Sequence, residues 1–258
     1  MEPTVVNPNP RQWGARLVVV LIVLFLPSGA TASDVAPEPV RPAFGDLSSP
    51  LRPGSSLGGY CTFNWVFYEQ VYPTETEPNP LPDVYIGTAG HCTDDVGERV
   101  NLEGFGPVGT VVYDSDEVRS GVDFSLIQLD ASMVGKTNPQ MRGFPGPRGS
   151  ITVSMLEVGD RVDVYGYGIV FGEREETRPR FGVLTEWTQD EYMADMPAVN
   201  GDSGAPLLHD ETGFALGVIS RYGIRVPPST DLGPMVPWIF RELAKAGFGN
   251  VVLATIGG

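Results

Sequence analysis

Glycine and proline interrupt this chain at short intervals, which limits the length of any regular element. The sequence contains 32 Gly and 24 Pro among 258 residues, and they separate apolar runs rich in Val, Ile, Tyr and Phe. Such runs with turn residues between them predict short strands rather than long helices. One segment differs: apolar residues from Val236 to Ala246 recur at helical spacing, and Gly247 follows as a helix stop. We therefore predict an all-β fold with one C-terminal α-helix.

A break in the strand pattern divides the chain into two halves. Residues 136–150 are dense in Gly, Pro and Arg and carry no strand signal. We expect an N-terminal half at about 59–140, a C-terminal half at about 150–235 and a closing helix at about 236–246. Closure of the antiparallel sheets into barrels would protect the strand edges. Residues 33–56, rich in Pro, Ser and Gly, are predicted to be a leader, linker or pro-segment.

The N-terminus carries the pattern of an export signal. Arg11 and Arg16 precede an apolar run at 17–26, and an A-x-A cleavage pattern ends at Ala32. The run is shorter than the roughly 20 apolar residues that span a bilayer, although an uncleaved anchor stays open as an alternative. We predict a signal peptide at 1–32 and a secreted protein, extracellular or periplasmic, with no stable membrane association after cleavage.

The charge of the chain restricts its partners. The formal net charge is −15, which disfavours nucleic acid and anionic membranes. We interpret the acidic residues as a solvated surface, because none has the spacing of an EF-hand calcium loop. We expect a monomer without cofactor or bound metal.

Two cysteines, Cys61 and Cys92, are predicted to form a disulfide. In an oxidising compartment an even pair of cysteines favours a bond. A metal site is disfavoured, because the two thiols and the adjacent His91 would still need a further ligand.

Three segments supply the groups that a nucleophilic serine needs. Ser203 lies in the turn Gly201-Asp202-Ser203-Gly204-Ala205-Pro206, which can gather backbone N–H groups around its hydroxyl. His91 ends an apolar strand among small residues, whereas His209 is interpreted as a surface histidine. Asp123 interrupts an apolar run, and a hydrogen bond to the histidine Nδ1–H would satisfy its carboxylate. We predict that Ser203 is the nucleophile, His91 the base and Asp123 the residue that orients it.

Other aspartates near Asp123 compete for the orienting role. They lie in polar or turn-like surroundings, which favours Asp123 over them. These competitors are Asp114, Asp116 and Asp130.

These segments, in the order His, Asp, Ser, resemble the trypsin/chymotrypsin family of serine proteases, in the style of its secreted bacterial members. The resemblance covers nearly all of the chain from Gly59 and implies a peptidase domain at 57–258. It implies two antiparallel six-stranded β-barrels with the active site between them. The implied activity is hydrolysis of peptide bonds in proteins or peptides, through a triad and an acyl-enzyme.

The resemblance also assigns roles to backbone groups and to the disulfide. The N–H groups of Gly201 and Ser203 would form the oxyanion hole. Cys61 and Cys92 match a family disulfide that ties the histidine loop to a neighbouring strand.

Substrate-binding residues follow from the same resemblance. Pro197 would form the floor of the specificity pocket, with mostly apolar neighbours, which favours a small or apolar side chain. Asp195 would instead select a basic side chain if a gap shifts the alignment. Ser220 would support the aspartate and lie on the strand that runs along bound peptide. Arg221 and Tyr222 would narrow one pocket wall.

The chain departs from the family in its activation chemistry. No Ile-Val-Gly-Gly site is present to create the N-terminus that pairs with the aspartate before the serine, here Asp202. We predict an internal partner such as an arginine, with cleavage near Ser56 as the alternative. Ala205 replaces a frequent glycine. The missing site keeps open a catalytically silent binding or regulatory protein, while the residue order disfavours an esterase of another fold.

Overall fold

The structure is a computed structural model that describes residues 37–115, 122–168, 178–223 and 230–257. The predicted signal peptide at 1–32 lies outside these residues. Pro37–Gly258 forms one compact unit. Among the described residues, no helix has both the length and the apolar composition needed to cross a bilayer.

The described residues form short strands, two α-helices and two 3₁₀ turns. The strands of the first half are β1 (Ser56–Leu57), β2 (Cys61–Thr62), β3 (Val66–Glu69), β4 (Val84–Thr88), β5 (Arg99–Leu102), β6 (Gly106–Asp114) and β7 (Ser125–Leu129). Those of the second half are β8 (Arg161–Tyr165), β9 (Pro179–Trp187), β10 (Glu191–Asp195), β11 (Pro206–His209), β12 (Phe214–Val218), β13 (Arg221–Gly223) and β14 (Thr230–Pro234). Helix α1 (Ala131–Val134) follows β7, and helix α2 (Val236–Lys245) and strand β15 (Val251–Leu253) end the chain.

Two curled antiparallel sheets form barrel-like halves, as predicted. The first has the strand order β15-β3-β4-β7-β6-β5-β1-β2, and the second has the order β12-β11-β8-β9-β10-β14-β13. Within the described residues the sheets therefore hold eight and seven strands, where six each were expected. The additional strands of the first sheet are short or distant in sequence. Strands β1 and β2 are only two residues long, and β15 returns from the chain end to pair with β3.

Each half has its own apolar core, and a third cluster packs between them. Strand β9 turns one face towards a core and the other outward, because its exposed and buried residues alternate from Pro179 to Leu184. Helix α2 contributes its buried face, Val236, Ile239 and Leu243, to the cluster between the halves. In the same cluster Trp65 Nε1 donates to Gly217 O at 3.1 Å, which joins the two halves.

Residues 37–56 pack on the first half. Val40 bridges Val71, Leu51 is fully buried, and Arg52 Nε donates to Gln140 O at 3.0 Å. That this segment is removed as a pro-segment stays a prediction. The removal would take Leu51 out of a packed core.

Candidate active site

His91 lies in a tight turn immediately after β4. The 3₁₀ turn Gly90–Cys92 follows the buried end of that strand, and the His91 side chain is 44% exposed. A Cβ at position 90 would lie 2.6 Å from Ser115 Oγ and 3.1 Å from Asp123 Oδ1, so only glycine lets this turn approach the carboxylate. The small residues beside His91 therefore serve close packing under an accessible ring.

Asp123 contacts His91 through both the ring and the backbone. Nδ1 of the ring lies 3.1 Å from each carboxylate oxygen, and the His91 N–H donates to Oδ1 at 3.0 Å. The Ser220 hydroxyl donates to Oδ2. Asp123 has a φ of +46°, a left-handed conformation that aspartate tolerates better than most residues. Strain of this kind persists where surrounding structure fixes a residue, often at a functional site.

The carboxylate of Asp123 is held in its ionised form. Burial alone would raise its pKa, but hydrogen bonds from the His91 ring, Ser220 and the His91 N–H together lower the pKa below its usual value. An ionised carboxylate at Nδ1 favours the tautomer with its proton there. Nε2 is then left without a proton and can act as a base.

The Ser203 turn packs directly against the histidine segment. Ser203 O accepts a hydrogen bond from the Thr62 N–H at 2.8 Å and lies 3.8 Å from Cys92 Sγ. Cys92 is bonded to Cys61, with 6.1 Å between their Cα atoms, so β2 and the His91 turn are tied together as predicted. These contacts bring the serine segment beside the residue that follows His91.

The backbone of the turn presents two N–H groups. Gly201 has a φ of +102° and Gly204 a φ of +87°, so both ends of the turn use left-handed conformations that favour glycine. Within the described residues, neither the Gly201 N–H nor the Ser203 N–H donates to a protein acceptor. Both are therefore available to an oxygen atom of a ligand.

A buried ion pair fixes Asp202 beneath the serine. Arg180 donates to the two carboxylate oxygens at 2.5 and 2.6 Å, and the N–H groups of Gly168 and Val199 donate at 2.8 and 2.9 Å. The two charged side chains are 6% and 0% exposed. A Cβ at Gly166 would lie 2.2 Å from Asp202 Oδ1, so this glycine makes room for the pair. The predicted internal arginine partner is thus Arg180, on the inward face of β9.

Two of the predicted substrate-binding residues, Pro197 and Ser220, contact groups of this centre. Arg180 also donates to Pro197 O at 2.7 Å, which ties the expected pocket floor to the ion pair. Ser220 contacts Asp123, and Arg221 pairs with Glu191 at the edge of the second sheet. Tyr222 lies on β13 with its backbone opposite Asp231.

His209 is where the sequence interpretation is wrong. It is 1% exposed, because β11 runs between β8 and β12 and all four of its residues are buried. Nδ1 lies 2.9 Å from Thr212 Oγ1, and Nε2 lies 3.1 Å from Asp160 Oδ2. Both ring nitrogens therefore face protein partners.

The competing aspartates occupy other environments. Asp114 is buried rather than turn-like, and it accepts hydrogen bonds from Thr93 and Ser125 at 2.9 and 3.2 Å. Asp130 pairs with Arg99 on the surface. Asp116 lies outside the described residues.

The ligand atoms of Cys61, His91 and Cys92 lie within 4.8 Å of one another. The disulfide consumes both thiols, whereas a metal would need them as thiolates. The cluster therefore supports the histidine turn and is a poor metal centre.

No protein-family model matches the chain, and no curated protein matches it. Solved structures do match. Protease A from Thermobifida fusca has a TM-score of 0.53 at 21% identity, over 80% of this chain and 98% of that one. A chymotrypsin from Cellulomonas bogoriensis has a TM-score of 0.51 at 18% identity, over 79% and 98%. Human heparin binding protein has a TM-score of 0.50 at 20% identity, over 84% and 97%. The chain therefore has the chymotrypsin-like fold that its motifs implied.

Proposed function

We propose that this protein is a secreted serine endopeptidase that uses His91, Asp123 and Ser203. The observation that carries the proposal is the His91 ring, whose Nδ1 is held by an ionised carboxylate while the ring stays half-exposed beside the serine turn. Orientation by a carboxylate and access for a proton are the two properties that a general base requires.

The reaction follows from the order of these groups. His91 Nε2 accepts the proton of the Ser203 hydroxyl as Oγ attacks the carbonyl carbon of a peptide bond. The oxygen that becomes negative is stabilised by the N–H groups of Gly201 and Ser203. His91 then gives its proton to the leaving amine, the C–N bond breaks, and an ester to Ser203 remains. Water, activated by His91 in the same way, hydrolyses this ester.

The Arg180–Asp202 pair supports catalytic activity without a cleavage that creates a new N-terminus. The sequence left open a silent binding or regulatory protein because an activation site is absent. An internal cation in contact with Asp202 supplies the charge that such a terminus would bring. Human heparin binding protein shares the fold, so the fold also serves binding, but a chain of net charge −15 is a poor match for a ligand as anionic as heparin.

Substrate and location complete the proposal. We infer that the substrates are proteins or peptides and that the chain cleaves them as a monomer after export. The substrate side chain that enters the pocket at Pro197 is small or apolar. The disulfide and the charged, apolar and small-residue pattern at 1–32 support an oxidising, extracytoplasmic location.

The direct test is a fluorophosphonate probe, which reacts with an activated serine. The purified chain should be labelled, and Ser203→Ala should not be. Ser154→Ala, a serine in a 3₁₀ turn of the second half, is the matched control and should label like the wild type. Equal labelling of the wild type and Ser203→Ala would refute the proposal.

A further inference from the structure

A buried aspartate that the proposed reaction does not use lies behind the His91 turn. Asp114 ends β6 and is 1% exposed. Its Oδ2 accepts hydrogen bonds from the hydroxyls of Thr93 at 2.9 Å and Ser125 at 3.2 Å, and the two hydroxyl oxygens lie 2.7 Å apart. Thr93 comes two residues after His91. Ser125 comes two residues after Asp123, so one carboxyl group joins the segments that carry the histidine and its orienting aspartate.

On the histidine side, Thr93 closes the turn that presents the ring. Its N–H donates to Gly90 O at 3.1 Å, and its Oγ1 lies 3.2 Å from the same carbonyl oxygen. His91 is the middle residue of this turn. A displacement of Thr93 would therefore shift the backbone from which the ring projects.

On the aspartate side, the end of β6 holds the two residues that follow Asp123. Ser125 is fully buried and pairs with Asp114 in the register of β6 and β7. The residue after Asp114 is Ser115, whose Oγ accepts the Phe124 N–H at 2.8 Å. The Ser115 N–H in turn donates to Phe124 O at 3.0 Å. The same short segment of β6 therefore fixes both sides of the pair.

The backbone of Asp123 needs this support. Its φ of +46° lies in the left-handed region, which a residue other than glycine keeps only where its surroundings hold it. The His91 turn also approaches closely, because a Cβ at Gly90 would lie 2.6 Å from Ser115 Oγ. A small shift at the end of β6 would therefore change the 3.1 Å contacts between His91 Nδ1 and the carboxylate of Asp123.

The chemistry of the contact suits positioning better than packing alone. Burial of a carboxyl group and two hydroxyls is costly unless they bond to one another. A satisfied polar network fixes one arrangement, because each hydrogen bond has a preferred direction and length. Apolar side chains of the same size would fill this space without that constraint.

We propose that Asp114 is a positioning residue. Through Thr93 and Ser125 it holds the His91 ring against the carboxylate that orients it. The inference rests on the proposed function, because a kinetic effect requires that His91 is the base. It gives a role to an aspartate that the sequence offered only as a competitor for direct contact with the histidine.

Matched threonine substitutions test the path through the hydroxyl. Thr93→Val keeps the shape of the side chain and removes its hydroxyl, whereas Thr93→Ser keeps the hydroxyl. Thr137→Val is the control, since this fully buried threonine donates to Met133 O at 2.8 Å. With a small ester substrate, we expect Thr93→Val to lower kcat by about 10- to 100-fold at a KM within about twofold. Thr93→Ser should stay within about threefold of the wild-type kcat, and Thr137→Val within about twofold.

Substitutions of Asp114 complete a double-mutant cycle. Asp114→Ala should lower kcat at least as much as Thr93→Val, and Asp114→Asn less, because the amide oxygen still accepts from the hydroxyls. Adding Thr93→Val to Asp114→Ala should lower kcat by less than about twofold more, because the two residues act as one unit. A loss equal to the product of the two single losses would overturn the inference.

The proton on His91 Nδ1 gives a readout that does not depend on turnover. The chain has two histidines, so isotope labelling of histidine nitrogen gives few ring N–H signals in an NMR spectrum, and His91→Gln assigns them. We expect the His91 signal to persist in Thr137→Val and to broaden, through exchange with water, in Thr93→Val and Asp114→Ala. The buried ring of His209 is the internal reference.

The outcomes separate this inference from the proposed function. An active, probe-labelled wild type, with unchanged kcat and His91 signal in folded Thr93→Val and Asp114→Ala, would overturn the positioning role alone. A wild type without ester hydrolysis or labelling would overturn the proposed function and the kinetic role with it. If Asp114→Ala does not fold, Thr93→Val and Thr93→Ser decide by the same kcat and ring signal.

Discussion

The molecule contains two histidine–aspartate pairs that are alike in distance and different in exposure. A ring nitrogen lies 3.1 Å from a carboxylate oxygen in both His91–Asp123 and His209–Asp160, and each aspartate side chain is 17% exposed. The histidine side chains differ, since that of His91 is 44% exposed and that of His209 only 2%. In the second pair both ring nitrogens face protein partners, Thr212 and Asp160. In the first, the described contacts of the ring involve Nδ1.

In the proposed function, this difference indicates what a histidine needs in order to act as a base. A contact with aspartate is not sufficient, because a base must also offer a nitrogen to the substrate or nucleophile. His209 holds the turn after β11 through Nδ1 and Asp160, just before β8, through Nε2. The comparison predicts opposite effects of matched substitutions, in activity for one pair and in stability for the other.

The largest expected effect comes from replacing each histidine by glutamine. His91→Gln should lower kcat by on the order of 10⁴- to 10⁶-fold, because it removes the base. His209→Gln should leave kcat within about twofold but lower the free energy of unfolding by about 1–3 kcal/mol, the cost of buried polar groups that lose partners. Peptide or ester kinetics and urea unfolding of both variants measure this. A large loss of kcat in a folded His209→Gln variant would contradict the comparison.

The aspartates should repeat the contrast at a smaller scale. Asp123→Asn should lower kcat by about 10⁴-fold, because an amide favours the wrong histidine tautomer. Asp160→Asn should keep kcat near the wild-type value and cost about 1–2 kcal/mol of stability, since its carboxylate also accepts the Glu157 N–H. The same two assays decide. Equal losses of activity in both variants would mean that the pairs are not distinct.

The Arg180–Asp202 pair does not follow the contrast between the two histidines, because it is buried like His209 yet lies next to the serine. Arg180→Met should destabilise the fold by about 3–5 kcal/mol, as removal of one partner from a buried ion pair does. It should also lower kcat by about 10²–10³-fold, because the turn that carries both oxyanion donors loses its support. The matched control Arg99→Met breaks an exposed pair and should cost at most about 1 kcal/mol. Full activity in a stable Arg180→Met variant would show that Asp202 needs no cation.

The sequence predicted the parts of the site that lie in local motifs. His91, Asp123, Ser203 and the cysteine pair each stand in a short segment whose neighbours indicate a role. Arg180 was expected only as some arginine, because its contact with Asp202 joins elements 22 residues apart and depends on which face of β9 points inward.

Errors arose where tertiary context outweighed local composition. The acidic residues after His209 suggested a surface, but the neighbours of β11 in the sheet bury it. The two-residue strands β1 and β2 carry no periodic pattern, so the strand count of the first sheet could not be predicted.

The smallest effect concerns the pH dependence of stability around the two pairs. The pKa of Asp123 is lowered, so its contribution to stability is present above a pH of about 4 and is lost as the pH falls further.

Asp163, opposite Leu208 on the neighbouring strand, behaves in the opposite way: burial first, and also Asp210, raise its pKa to about 6, against the lowering effect of Arg161. A raised pKa means that folding favours the protonated form of Asp163. The stability that this form contributes is therefore lost as the pH rises from about 4 to about 6. Asp163→Asn should therefore raise the free energy of unfolding at pH 8 by about 1 kcal/mol, after solvent screening, and change it little at pH 4. Urea unfolding at both pH values measures this, and a variant less stable than the wild type at pH 8 would show that the Arg161 contact outweighs the burial of the charge.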